Sequence, residues 1–294
     1  MFYRRKIILA LIQKLGGELE KIRIQKLLFL LSQKKKNPEY EFIPYKFGCY
    51  SYSANADLVT MVKNGSLTEN ENLFIKNDAT DYIKILKPAD QKILLEVVGL
   101  YGNMSSNSLI KHTYVNFPYY AINSTIVSNV LDEIQIQRVI GQRPTANETV
   151  LFTIGYEGVS LEAYLNKLVS NNIKLLVDVR KNPLSMKFGF SKSLLKKYCG
   201  SLGVSYIHIP EVGIDSDQRQ ELNTQNDYDI LFDKYKKTTL FDTKSNQEEI
   251  IALLIKYNRI ALTCFEADVC QCHRKSLAES IEKFSTFDYS VKHI

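Results

Sequence analysis

Between residues 264 and 276 the sequence reads CFEADVCQCHRKS, with three cysteines, a histidine, an arginine and two acids in thirteen positions. Several chemistries are open to such a stretch. The segment CHRKS falls where a helix is predicted to begin, so its backbone N–H groups and positive dipole end favour an anion. Arg274 adds a planar fork that matches phosphate or carboxylate. A thiol at Cys272, near that helix start and beside His273, is expected to have a lowered pKa and to serve as a nucleophile. Cys264, Cys270, Cys272 and His273 also make four zinc-competent side chains. The spacing C-x5-C-x-C-H departs from the paired knuckles of structural zinc sites, however, and adjacent residues rarely ligate one ion. An anion cradle with a reactive thiol is therefore the preferred reading. No metal ligand is assigned, the cofactor is left unknown, and zinc is kept as an alternative. A reversible Cys264–Cys272 disulfide and a plain turn capped by Cys272 are the remaining readings.

The elements that must position these residues alternate. LFTIGY (151–156) reads as a strand, SLEAYLNKLVSNN (160–172) as a helix and KLLVDVR (174–180) as a strand. A helix SKSLLKKYCGSLG, a strand VSYIHIP, two helices across 227–258, a strand IALTCFE, a helix from about residue 273 and a last strand YSVKHI follow. Strands that alternate with helices and are apolar enough for burial on both faces predict an α/β domain with a mostly parallel, Rossmann-like sheet. Ligands of such sheets bind beyond the carboxyl ends of the strands. There the sequence sets Tyr156 and Glu157, then Asp178 and Arg180, then His208, then Cys264 and Glu266. A single acid at a strand end is ordinarily a cap, but four polar endings in one sheet point to a site.

The first part of the chain differs. Residues 5–16 predict a helix stopped by Gly16-Gly17, and 21–33 a second helix with Ile24, Leu27, Leu28 and Leu31 on one buried face. EFIPYKFGCYS suits an extended segment; Ser53 then caps a helix ended by Gly65, and SLTENENLFIKN predicts a strand, turn and strand. That order is the order of a winged helix, in which a helix enters the major groove while the ribbon touches phosphate. Residues 88–134 predict further helix. The boundary lies in GQRPTANET (141–149), between a mainly helical, winged-helix-like domain (1–140) and the α/β domain (150–294).

Charge follows the same division. The 294 residues carry a net +6, yet residues 1–36 hold ten Lys and Arg against two Glu. Arg4, Arg5, Lys6, Lys21, Arg23, Lys26, Lys34, Lys35 and Lys36 are the candidate nucleic-acid contacts of this basic end. No apolar run reaches the roughly 18 residues of a membrane span. The opening MFYRRKIILALIQKL reads as an amphipathic helix rather than an export signal, and five scattered cysteines make no disulfide framework, so a cytoplasmic location with reduced thiols is expected.

TIGYEG, LVDVRKNPLSMKFGFSKSLL, YIHIPEVG and CFEADVCQCHRKSLAESI resemble, in order and spacing, domain of unknown function 488 over residues 151–294. The resemblance implies an α/β domain, regarded as a possible enzyme. Its pattern falls here on Gly155, Tyr156, Glu157, Asp178, Arg180, Pro183, Ser185, His208, Pro210, Cys264, Glu266, Cys272, His273 and Arg274. The chain departs from it at Val269, where the family tends to have Pro, and at Cys270, which the pattern lacks. RIQKLLFLLSQ, PYKFGCYS and ADLVTMVKNG resemble, more loosely, the antitoxin-associated Panacea or SocA-like family, domain of unknown function 4065, which implies contact with protein or DNA.

The expected function is that of an enzyme, a hydrolase or transferase, acting on nucleic acid or a nucleotide-like anion. Arg180 and Arg274 would hold phosphate with Tyr156, Ser185 and His273 lining the site. Glu157, Asp178, His208 and Glu266 would move protons, and Cys264 or Cys272 would attack. The alternative is a regulator of antitoxin or ligand-sensor type that binds DNA or a protein partner without turnover.

Overall fold

The computed structural model describes residues 1–215, 218 and 222–294. The chain forms two compact units, Met1–Arg143 and Pro144–Ile294.

Unit 1 begins with α1 (Tyr3–Lys14), β1 (Glu18–Glu20) and α2 (Lys21–Ser32). Gly16 and Gly17 turn the chain after α1 at φ +100° and +91°, a region open to glycine without penalty. Next come a hairpin of β2 (Ile43–Tyr45) and β3 (Gly48–Tyr50), helix α3 (Tyr52–Lys63), and strands β4 (Leu67–Glu69) and β5 (Leu73–Lys76). The strands β1, β5 and β4 pair antiparallel in that order. Three helices with this small sheet give winged-helix order, with the β2–β3 hairpin inserted before α3. The cap of α3 is Ser51, whose side chain accepts from Ala54 N, and not Ser53 as the sequence suggests. The later helices are α4 (Tyr82–Ile85), α5 (Pro88–Tyr101), α6 (Ser106–Asn116), α7 (Val127–Val130) and α8 (Glu133–Ile140). Ser105 caps α6, and a side-chain and backbone capping box of Asp132 and Gln135 opens α8. Every residue of 7–12 in α1 and of 24–32 in α2 is buried, so these stretches are covered all round and not only on the single face that helical spacing predicts.

Unit 2 contains β6 (Val150–Gly155), α9 (Leu161–Ser170), β7 (Leu175–Asp178), α10 (Lys192–Gly200), β8 (Ser205–His208), α11 (Gln225–Lys237), α12 (Thr239–Asp242), α13 (Lys244–Tyr257), β9 (Arg259–Cys264), α14 (His273–Ile281) and β10 (Ser290–His293). The five strands lie in the order β10-β6-β9-β7-β8, and every neighbouring pair is parallel. The three inner strands are buried along their whole length, which suits their apolar runs. Their buried threonines are satisfied: Tyr164 OH donates to Thr263 Oγ1 at 2.8 Å, and Thr153 Oγ1 lies 2.7 Å from His293 Nδ1. Because β9 returns between β6 and β7, register sets Cys264 opposite Gly155 and Thr263 opposite Asp178. The carboxyl ends of β6, β7, β8 and β9 therefore share one rim. No helix among the described residues is long and apolar enough to cross a membrane.

Candidate functional site

At that rim Cys264, Glu266, Cys272 and His273 converge: one ligand-type atom from each lies within 4.8 Å of the others. Cys264 ends β9, Glu266 follows two residues later, and Cys272 and His273 open α14. Cys264 Sγ is 3.0 Å from Glu266 Oε2 and 3.5 Å from His273 Nδ1. The other ring nitrogen, His273 Nε2, lies 3.1 Å from the carbonyl of Val179. A carbonyl only accepts, so Nε2 carries a proton, and in the neutral ring Nδ1 offers its lone pair to the cluster. Both cysteines are 1% exposed and His273 is fully buried. Cys270 is exposed and lies outside the cluster.

The expectation of a lowered pKa at Cys272 is corrected. Burial, the hydrogen bond with Cys264 and the negative charge of Glu266 raise the thiol well above its ordinary value, against the pull of Arg274. Cys264 is the better placed sulfur, because it lines a cleft of about 260 Å³ together with Tyr156, Arg180, Lys181, Asn182 and Ser185.

Two arginines are used differently from the sequence reading. Arg180 forms a buried pair with Asp178 on β7: Nη2 to Oδ2 at 2.5 Å and Nε to Oδ1 at 2.8 Å. Its Nη1 donates to Tyr156 OH at 2.7 Å and to the Phe190 carbonyl at 2.9 Å. Burial pulls the guanidinium pKa down, but the Asp178 carboxylate outweighs it and the net shift is upward. Tyr206 OH also donates to Asp178, at 2.6 Å. Asp178 is fully buried and Arg180, which lines the cleft, is 5% exposed, so the carboxylate and the guanidinium are engaged with each other at the cleft wall. Arg274, 2% exposed, donates to the carbonyls of Glu266 and, at 3.0 Å, Ala267. It shapes the loop after β9 instead of reaching into the cleft. Gly155 permits that loop to approach: a Cβ there would stand 1.9 Å from the Glu266 carbonyl oxygen.

Each of the remaining expected residues has a partner within the protein. Glu157 is exposed and accepts from Ala267 N at 3.0 Å. His208 is held between the Arg180 carbonyl at Nε2 (2.8 Å) and Lys192 Nζ at Nδ1 (3.0 Å). Tyr156 is 2% exposed and stacks on Phe190 with centroids 4.3 Å apart. Ser185 Oγ accepts from Lys187 N at 3.2 Å in the loop bordering the cleft. Sequence reasoning missed Lys181, Asn182, Lys187 and Tyr206. Lys181 and Asn182 line the cleft, and Lys187 Nζ donates to the Tyr156 carbonyl at 2.6 Å. Their signal was present in RKNPLSMK, directly after the second strand of the α/β pattern.

In unit 1 most of the proposed nucleic-acid contacts are paired within the protein. Arg4 and Arg5 meet Asp57, Lys21 meets Glu69, Lys34 meets Glu96, and Lys35 meets both Glu39 and Asp90. Arg23 donates to the Gly102 carbonyl. Lys26 is a correction: it is 2% exposed and its ammonium donates to the Phe47 and Cys49 carbonyls, so it ties α2 to the hairpin and is not a surface contact. Lys36 is exposed and Lys6 half-buried.

No curated protein matches the chain. The stretch from α9 to the end of α14, which holds β7, β9 and all four members of the cluster, is another matter: residues 160–281 match the family model described as Domain of unknown function DUF488.

Proposed function

We propose that the chain is an enzyme, a hydrolase or transferase, acting on nucleic acid or a nucleotide-like anion in the cleft of unit 2, with unit 1 as its recognition module. The observation that carries this reading is the placement of Cys264. The residue lines the cleft, and its buried sulfur has the Glu266 carboxylate at 3.0 Å and His273 Nδ1 at 3.5 Å. Lys181, Asn182 and Ser185 on the cleft wall supply a positive charge and polar groups for an anion. Cys264, Glu266 and His273 carry the chemistry, and the Asp178–Arg180 pair holds the strand ends in place. Reduced thiols at such a centre suit a cytoplasmic location.

The test is a screen of the full chain at low salt against nucleotides, inorganic pyrophosphate and short oligonucleotides, following binding by calorimetry and products by chromatography. Binding that weakens in Lys181→Ala and turnover that disappears in Cys264→Ser are expected. Absence of any anion binding, or wild-type turnover in Cys264→Ser, would overturn the reading.

A second reading is supported by the winged-helix order of unit 1. Here the chain is a regulator that binds DNA or a protein, and unit 2 senses the anion. Glu266→Gln separates the two. It lowers turnover and leaves DNA affinity nearly unchanged in an enzyme, and changes anion-dependent DNA affinity in a sensor.

A further inference from the structure

We propose that Cys264, Glu266, Cys272 and His273 form a zinc site beside the cleft that Cys264 lines. Adjacent residues are poor joint ligands within one regular element, but Cys272 and His273 straddle a change of backbone. Cys272 is extended at φ −129° and ψ 134°, and His273 is the first residue of α14. Their side chains therefore leave the backbone in different directions and meet Cys264 at the end of β9 and Glu266 just beyond it.

The distances fit a tetrahedral ion. With zinc about 2.3 Å from sulfur and about 2.0 Å from nitrogen, two tetrahedral ligands stand about 3.5 Å apart. Cys264 Sγ and His273 Nδ1 are separated by 3.5 Å. All four ligand atoms fall within 4.8 Å, so closure requires only small side-chain rotations. The second shell is also in place. Metal-bound histidines ordinarily donate their distal N–H to a carbonyl or carboxylate, and His273 Nε2 meets the Val179 carbonyl at 3.1 Å. Two thiolates and a carboxylate exceed the charge of one zinc by one unit, and Arg274, anchored on the Glu266 and Ala267 carbonyls, supplies the compensating positive charge.

The ligands are unequal. Cys264, Cys272 and His273 are buried, whereas Glu266 is half-buried and borders a second pocket of about 140 Å³. Glu266 is thus the ligand that yields to water entering from that second pocket, and three protein ligands with one exchangeable position make a catalytic rather than a structural site. That catalytic consequence rests on the enzyme reading given above, with Cys264 acting as a ligand in place of a free thiol; the metal site itself rests on the four side chains alone.

The test titrates cobalt(II), then competing zinc, into metal-free full-length protein kept reduced. Uptake of about one equivalent with visible d–d bands and thiolate charge-transfer absorption is expected, lost in Cys264→Ser and Cys272→Ser and kept in Cys270→Ser. Because a variant could fail to fold, alkylation of the wild-type protein is mapped alongside. Zinc should protect Cys264 and Cys272 and leave Cys270 reactive. No cobalt spectrum, an unchanged spectrum in Cys264→Ser, or equal alkylation with and without zinc would overturn the site. Metal uptake without anion binding would overturn the function proposed above and leave the site standing.

Discussion

The carbonyl of Val179, just past the end of β7, receives the Nε2 proton of His273, the first residue of α14, at 3.1 Å. This bond ties the helix to the carboxyl rim of the sheet, with Nδ1 turned toward Cys264. Truncation by His273→Ala leaves a buried carbonyl without its donor, which costs about 1–3 kcal/mol before the cavity is counted. A lower urea midpoint for the full chain is expected. Equal midpoints would show that the bond is dispensable.

The Asp178–Arg180 pair is predicted to be structural. Removing one member of a buried ion pair typically costs about 3–5 kcal/mol, since the other is left charged and uncompensated. Asp178→Asn should therefore lower the thermal midpoint as well as activity, and the loss should be shared by Arg180→Met. A variant with wild-type stability and abolished turnover would return Asp178 to the list of acid–base groups.

A pH dependence follows from Asp57 on α3. Burial acts to raise its pKa, but hydrogen bonds from Arg4, Arg5 and Tyr40 outweigh burial and hold the carboxyl below its usual range. In the unfolded chain an aspartate titrates near about 3.9. A depressed folded value means that the contribution to stability is complete above that pH and is lost as pH falls through the folded pKa. The stability advantage of wild type over Asp57→Asn should shrink steadily on acidification below about pH 4. An advantage independent of pH would show that the carboxylate is not the stabilising form.

The architecture was legible in the sequence because its signals are local. The apolar runs LFTI, LLV and IALT required buried parallel strands, and Gly16-Gly17 required a stop. Even where a local signal misled, as with Ser53 for Ser51, the shift was only two residues. The site was legible in membership but not in role. Asp178 and Arg180 stand two residues apart in the sequence, yet nothing there says that they bond to each other rather than to a ligand. The pairing depends on Tyr206 and Phe190, which reach the pair from β8 and from the loop before α10. Likewise the spacing of Cys272 and His273 argued against a shared ion, and only the extended backbone at Cys272 brings both side chains to one place.

The same long-range pairing governs what unit 1 can offer to DNA. Each phosphate neutralised by a basic side chain contributes about −0.9 to the slope of log affinity against log salt. Nine independent contacts from the basic end would give a slope near about −8. Arg4 and Arg5 are held by Asp57, Lys35 is held by Glu39 and Asp90, and Lys26 is buried against carbonyls. Breaking these bonds costs what the phosphates would return, so they are expected to stay closed. Titration of a fluorescent duplex between low and moderate salt should give a slope no steeper than about −4, set by exposed or loosely paired groups such as Lys21, Lys34 and Lys36. Charge reversal at Lys36 should then weaken binding, while Lys26→Met should act on folding instead. A slope near −8 would mean that the internal pairs open on DNA, and no binding even at low salt would remove nucleic acid from the partners of unit 1.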